Sequence, residues 1–381
     1  MAAAGTNVMK VLITNAMSDA GIVVAQSLGC AGFEIVGVDR RSPPRWLRTR
    51  WLRELVAIPQ ADPQHWQDNV LGAIRRFGVE LFLPLCSRGV QLAVERRQEL
   101  GPRCNVLAPD REAFMNAYDK RCCMAICREL GIPSAGFLTE AQARELLLSG
   151  ERVVVKPGHD RGGAKGVSLV EHAGDLSRAI AAAEAPEADC LIQAFIPGNA
   201  AAMRSITVVM DGAGNLLASF QLQKLRHVPA TGGITALAKS CHDPALLASV
   251  LPFFRHCGWR GPAEVECKWD ASSGCFRVIE INPRFPGTLR LSVLCGLDLP
   301  LLVAQATIRS PISAQPQPPA YPEGKRYVAP TLFARSVLND AEHRGWPRAL
   351  VTAWADMAGS AGMLRSLLAE PLPVLARTFY P

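Results

Sequence analysis

Ala263–Leu289 reads AEVECKWDASSGCFRVIEINPRFPGTL. Ala263–Cys267 and Cys275–Ile281 are rich in Val, Ile and Phe. The residues Asp270, Ser272, Ser273 and Gly274 between them are turn formers, so the pattern predicts a β-hairpin. A turn centred near Ser273 sets Glu266 opposite Glu280 and Glu264 opposite Asn282. Side chains two apart on a strand share a face, so all four point the same way. Carboxylates opposed across two strands destabilise each other, by on the order of 3 kcal/mol per pair at an effective dielectric of about 20. A shared proton relieves this, and so does a hard cation that takes oxygen ligands. Carboxylates with an amide oxygen and no His or Cys suit Mg²⁺ that is also bound to phosphates. The plainer alternative, a solvated polar face, leaves Val265, Ile279 and Ile281 to bury the opposite face unaided. Pro283 ends the ladder because it lacks an N–H, and Arg284 follows within reach of the same phosphates.

Upstream lies a second candidate phosphate element. Arg152–Lys156 (RVVVK) is strand-like and Pro157-Gly158 ends it. A loop containing Gly162, Gly163, Lys165 and Gly166 then leads to the strand-like Val167–Val170. Glycines let backbone amides turn onto phosphate oxygens without Cβ clashes. No GK[ST] opens a helix, so this is not a Walker A loop. Lys156 is placed at the strand end to neutralise phosphate charge.

The run Glu266…Glu280-Ile-Asn282-Pro283-Arg284, behind a strand, a glycine flap and a strand, resembles the metal-binding end of ATP-grasp ligases, in the branch with carbamoyl-phosphate synthetase large subunits and carboxylate–amine ligases. The resemblance covers about residues 10 to 308. It implies a mixed α/β and α+β chain: an N-terminal doubly wound pre-ATP-grasp domain over 1–110, then a two-lobed ATP-grasp domain over 111–310. The small lobe would span about 120–195 and the large lobe about 196–310, with a Pro-rich linker and C-terminal extension over 311–381. By resemblance, Glu266, Glu280 and Asn282 hold Mg²⁺, two ions in the family and with Mn²⁺ as an alternative, against ATP. Arg284 contacts the transferring phosphoryl group. Lys120 (in Asp119-Lys120 ahead of Gly131-Ile132-Pro133), Lys156, Gly162, Gly163 and Gly166 bind the nucleotide's phosphates. Gln193, Ala194, Phe195 and Ile196 form the hinge whose backbone reads adenine. The family's acid for the ribose hydroxyls is missing, and Asn199 stands nearest to its place. Lys224 or Arg226, in what reads as a mobile loop over 223–233, would hold a substrate carboxylate. Glu264 is left out of the ligand set.

The implied reaction is ADP-forming ligation of a small-molecule carboxylate to an amine through an acyl phosphate. A thiol ligase, a carboxylate kinase and a non-catalytic nucleotide-binding protein are the alternatives. A homodimer is compatible with this family.

The rest of the chain bounds the reading. Lys10–Asn15, a helix over about Asp19–Ala31 and Glu34–Val38 make a βαβ opening that ends in Asp39. A dinucleotide-binding reading fails because the turn after the first strand holds one glycine where the fingerprint has three. Helices near His65–Phe77 and Arg88–Leu100 alternate with strands Glu80–Leu85 and Asn105–Leu107. Arg40–Arg53 (RRSPPRWLRTRWLR) admits two readings, a patch for RNA or an acidic partner and a Pro-started amphipathic helix covering the sheet. The helix is the expectation, and nucleic acid is not the expected partner. Lys325–Ala334 is expected to return as a strand. Twelve scattered cysteines with no CxxC or Cys/His zinc spacing read as reduced core residues of a cytoplasmic protein. No apolar run reaches the ~18 residues of a membrane span, and the net charge of +7 suits anionic substrates.

Overall fold

A computed structural model describes residues 8–59, 63–158, 166–183, 190–229, 232–308, 320–358 and 360. The N-terminal domain alternates strand and helix: β1 (Lys10–Thr14), α1 (Asp19–Cys30), β2 (Glu34–Asp39), β3 (Leu52–Ala57), α2 (Pro63–Phe77), β4 (Leu81–Leu83), α3 (Ser87–Glu95) and the short α4 (Arg97–Leu100). Its sheet runs β3-β2-β1-β4 and is parallel throughout. Val11, Leu12 and Ile13 are fully buried, as a strand covered on both faces requires. Ser18 caps α1 by accepting from the Gly21 amide. Asp39, the acid that suggested a ribose contact, instead accepts from the Met17 amide at 2.9 Å and closes the loop after β1.

Two expectations for this domain fail. Arg40–Arg53 is not an amphipathic helix. Only Arg45–Leu47 makes a 3₁₀ turn, and the chain then enters β3. Pro43 and Pro44 hold the entry extended, and Trp46 points outward at 66% exposure. The expected strand over Asn105–Leu107 is reduced to one bridge between Asn105 and Leu81.

The small lobe follows. α5 (Arg111–Tyr118) and α6 (Lys120–Glu129) are separate helices. Asp119 leaves the helical region and caps α6, accepting from the Arg121 and Cys122 amides, as an N-cap Asp does. Then come β5 (Phe137–Leu138), α7 (Glu140–Leu148), β6 (Val153–Pro157), β7 (Ser168–Val170), α8 (Leu176–Ala183) and β8 (Cys190–Ala194), in an antiparallel sheet ordered β5-β8-β6-β7. Gly162, Gly163 and Lys165 lie outside the described residues. Gly166 is described and takes a φ of 75° at the start of the return strand, a conformation that favours glycine.

The large lobe contains β9 (Met203–Met210), β10 (Leu216–Val228), β11 (Ile234–Cys241), α9 (Pro244–His256), β12 (Gly261–Asp270), β13 (Cys275–Asn282), α10 (Arg290–Leu294), α11 (Leu299–Ile308), β14 (Arg326–Val328), α12 (Pro330–Arg344) and α13 (Trp346–Ala358). Six strands pair in the order β13-β12-β9-β10-β11-β14. One face buries Ile206, Val208, Val265 and Cys267 with Phe253, Phe254 and Trp259. Burying a side chain of this size contributes about 1.5–3 kcal/mol. Phe220 and Leu222 share a second core with Phe285, Leu289 and the N-terminal Val11 and Ile13.

Here too the expectations need correction. Residues 223–228 are not a loop but the far half of β10, which pairs with β11. The strand expected over Lys325–Ala334 is Arg326–Val328 alone, because Pro330 begins α12. β14 pairs with β11, so the large-lobe sheet continues beyond the boundary drawn at residue 310. Among the described residues no helix is long and apolar enough to cross a membrane.

Candidate active site

The β12–β13 ladder pairs Glu264 with Asn282 and Glu266 with Glu280, the register expected from the sequence. It does so by an indirect route. Near the turn Asp270 pairs with Cys275 and Cys267 with Val278, a register one residue tighter, and the ladder shifts between Cys267 and Glu266. Ile279 is the residue left over. A bulge frees backbone groups from the ladder and is common beside active sites. The freed Ile279 carbonyl accepts from Lys156 Nζ at 3.2 Å.

Three cations converge on the carboxylates from three elements. Lys120, in the first turn of α6, places Nζ 3.5 Å from Glu280 Oε2. Lys156, at the end of β6, is 5% exposed. Lys224, on β10, pairs with Glu266 Oε1 at 2.7 Å. Arg284 NH1 lies 3.6 Å from Glu264 Oε2, and its NH2 donates to Asn282 Oδ1. Asn282 Nδ2 reaches both Glu264 and Glu280 at 3.4 Å. Glu264 also accepts from Ser205 Oγ at 2.6 Å, which ties it to β9. The backbone amide of Lys120 donates to Gly158 O, joining α6 to the end of the flap strand.

Electrostatics follow from this packing. Burial works to raise the Glu280 carboxyl, but Lys120, Lys156, Lys224 and Arg284 outweigh it and hold it at about 2. Burial lowers Lys156 to about 8, partly offset by Glu280 and reinforced by Lys120. For Lys224 burial favours the neutral amine, yet Glu266 and Glu264 prevail and raise it. Burial, Glu264 and Glu280 push Glu266 upward against the pull of Lys224. The 2.7 Å contact is that of an ion pair, so the Lys224 direction is the one the geometry supports. His227 is kept neutral: burial, Lys224 and Lys268 push it down to about 3.

Among the described residues, no three His, Cys, Asp or Glu side chains converge closely enough for an all-protein metal cage. The donor set is nonetheless hard oxygen, from Glu266, Glu280 and the Asn282 amide, with the ammonium groups beside it. That combination fits a small divalent cation that shares its coordination with phosphate oxygens.

The structure separates the other sequence candidates. Gln193 is buried and its Nε2 donates to Ala135 O at 2.9 Å, so its side chain is committed to the small lobe. The Phe195 amide donates to Arg152 O. The Phe195 ring sits between the Arg152 guanidinium at 4.3 Å and Lys268 Nζ at 4.5 Å. Ala194 is exposed and Ile196 half-buried, which leaves this part of the hinge accessible. Asn199 caps a 3₁₀ turn by accepting from the Ala201 amide. Arg226 is directed away from the carboxylates: Nε donates to Asp356 at 2.6 Å and NH1 to Asp340 at 2.5 Å, on α13 and α12. Its assignment to a substrate carboxylate is therefore corrected. Lys224 lies in the cluster as a partner of Glu266 rather than on a mobile loop. Ser205, Lys268 and His227 are components the sequence reading missed. Ser205 was findable only through β9, where it pairs opposite Glu266.

Comparison with known proteins gives the following. A family profile described as "ATP-grasp in the biosynthetic pathway with Ter operon" matches residues 187–329. No curated protein matches. Among solved structures, biotin carboxylase from Campylobacter jejuni, in a β-γ-ATP complex, is similar at a TM-score of 0.66 and 15% identity, covering 84% of this chain and 74% of its own. An L-amino acid ligase from Bacillus licheniformis is similar at 0.62 and 17% identity, covering 81% and 77%. N5-carboxyaminoimidazole synthetase from Staphylococcus aureus is similar at 0.57 and 14% identity, covering 78% and 77%.

Proposed function

The chain has the ATP-grasp fold, and we propose that it is an ADP-forming carboxylate–amine ligase. The observation that carries this reading is the convergence of Lys120, Lys156 and Lys224 on the Glu266–Glu280 pair. Lys120 and Lys156 from the small lobe, with Lys224 from the large lobe, meet oxygen ligands of the large lobe, as binding a polyphosphate between the lobes requires. The L-amino acid ligase and the N5-carboxyaminoimidazole synthetase among the similar structures favour C–N bond formation over the alternatives.

On this reading the nucleotide lies between the lobes, its adenine at the hinge about Gln193–Ile196 and its phosphates between Lys120, Lys156 and Arg284. Gly166 would turn its amide toward those phosphates. Glu266, Glu280 and Asn282 would hold Mg²⁺, which neutralises phosphate charge when bound. Phosphoryl transfer asks mainly for positioning and charge stabilisation. Lys156 and Arg284 supply fixed positive charge where charge builds on the transferring group. A substrate carboxylate oxygen attacks the γ-phosphorus, and the bond to the bridging oxygen of ADP breaks. The amine then attacks the acyl carbon, phosphate leaves, and the amine loses a proton. No side-chain nucleophile enters either step.

The test is release of ADP and phosphate over a panel of amino acids and other carboxylic acids with Mg-ATP. Stimulation that needs both a carboxylate and an amine supports the reading, and stimulation by a carboxylate alone would assign a kinase.

A further inference from the structure

Arg40–Arg53 takes no part in the chemistry above. It holds six arginines and no acid, so all but one unit of the chain's +7 formal charge is accounted for by this one stretch. Its conformation is built rather than loose. Leu47 and Thr49 are buried. Arg48 Nε donates to Pro43 O and its NH2 to Ser42 Oγ, both at 2.8 Å, which pins the extended entry. With these groups turned inward, Arg40, Arg41, Arg45, Trp46, Arg50 and Arg53 are all exposed. The guanidinium groups of Arg40, Arg41, Arg45 and Arg53 form no ion pair among the described residues.

The segment runs directly into β3, which among the described residues is an edge of the N-terminal sheet, bonded to β2 on one side only. An open edge presents unpaired N–H and C=O groups to any extended chain. One or two charges protect such an edge; five exposed arginines and an exposed tryptophan exceed that need. Trp and Arg are also the side chains that dominate protein–protein contacts.

We propose that Arg40–Arg53 and the free edge of β3 form a docking surface for an acidic, extended segment of a partner protein, added to β3 as a further strand. Backbone pairing would supply affinity and the arginines the choice of an acidic sequence. A single-stranded nucleic acid fits less well. Successive bases need successive aromatic platforms, and Trp46 is the one largely exposed aromatic of the stretch.

The test uses the full chain and fluorescence anisotropy with three labelled probes: a peptide of about ten residues alternating Glu and Val, its Gln-for-Glu counterpart, and an oligouridylate of similar length. The account expects the acidic peptide to bind more tightly than the other two, with affinity falling as salt rises. Arg41→Glu with Arg45→Glu should weaken it by about tenfold or more, and Glu54→Lys should tighten it. Trp46→Ala should weaken it without changing the salt dependence. Equal binding of the Glu and Gln peptides, tighter binding of the oligouridylate, or affinity indifferent to both charge changes would overturn the proposal.

Discussion

Lys156 Nζ donates to the carbonyl oxygen of Ile279 at 3.2 Å, across the gap between the two lobes. Ile279 offers that carbonyl because the β12–β13 ladder skips it. One backbone irregularity thus sets the register of the carboxylates and parks the lysine beside them. The lysine is 5% exposed and burial lowers it to about 8, so its charge is held at a cost in stability.

That cost is measurable. A lysine whose folded pKa lies below its unfolded value destabilises the fold wherever both states are charged, which here means below about pH 8. The penalty is relieved as pH rises toward 10.5, because the folded state sheds its proton first. A shift of this size corresponds to on the order of 3 kcal/mol. Without nucleotide, Lys156→Met should therefore melt higher than wild type at pH 7, and the difference should shrink by pH 10. Turnover should be abolished. Thermal unfolding of both proteins across this pH range checks the claim; a lower melting temperature for Lys156→Met at pH 7 would contradict it.

Lys224 is paired with Glu266 at 2.7 Å, one of the proposed metal ligands. Lys224→Met should accordingly bind Mn²⁺ several-fold more tightly than wild type when no nucleotide is present, since a competing cation is gone. Its rate of turnover should fall. Titration followed by electron paramagnetic resonance measures the first quantity. Unchanged or weaker Mn²⁺ binding would show that the lysine does not compete for the site.

Arg226 tests the correction to its role. Its guanidinium joins Asp340 of α12 to Asp356 of α13, and Arg326 NH1 adds bonds to the carbonyls of Ala355 and Asp356. Arg226→Gln should lower stability by about 1–3 kcal/mol by removing the ion-pair partner of Asp340 and leaving Asp356 to the longer contact with Arg326. The KM for the carboxylate substrate should stay within about twofold. Urea unfolding and steady-state kinetics separate the two effects, and a KM raised about tenfold or more at unchanged stability would return Arg226 to the substrate site.

How much of this was readable in the chain depended on the reach of each interaction. The acidic hairpin was legible because two-residue alternation and turn formers are local, and its partners lie within eighteen positions. The βαβ opening was legible for the same reason. The symmetric register reached the right carboxylate pairs, yet the tighter turn and the bulge at Ile279 that compensate each other left no local sign. Lys224 and Arg226 were misread as loop cations because the glycines at 232 and 233 read as a loop extending back to them, although β10 pairs with β11; the acids that hold the Arg226 side chain are distant. Asp340 and Asp356 stand 114 and 130 positions from Arg226. The arginines of residues 40–53 imitate one face of a helix, while Pro43, Pro44 and the parallel partner β2 decide for an extended path.

The central claim is the meeting of the small-lobe lysines with Glu266, Glu280 and Asn282 as the seat of ADP-forming ligation. Its most direct measurement is the nucleotide product formed from Mg-ATP, with a carboxylate and an amine, by wild type and by Glu280→Gln. The account predicts ADP and phosphate in equal amounts from wild type, dependent on both substrates, and loss of about a hundredfold or more in the folded Glu280→Gln variant. Release of AMP and pyrophosphate, or a Glu280→Gln variant that turns over at the wild-type rate, would contradict it.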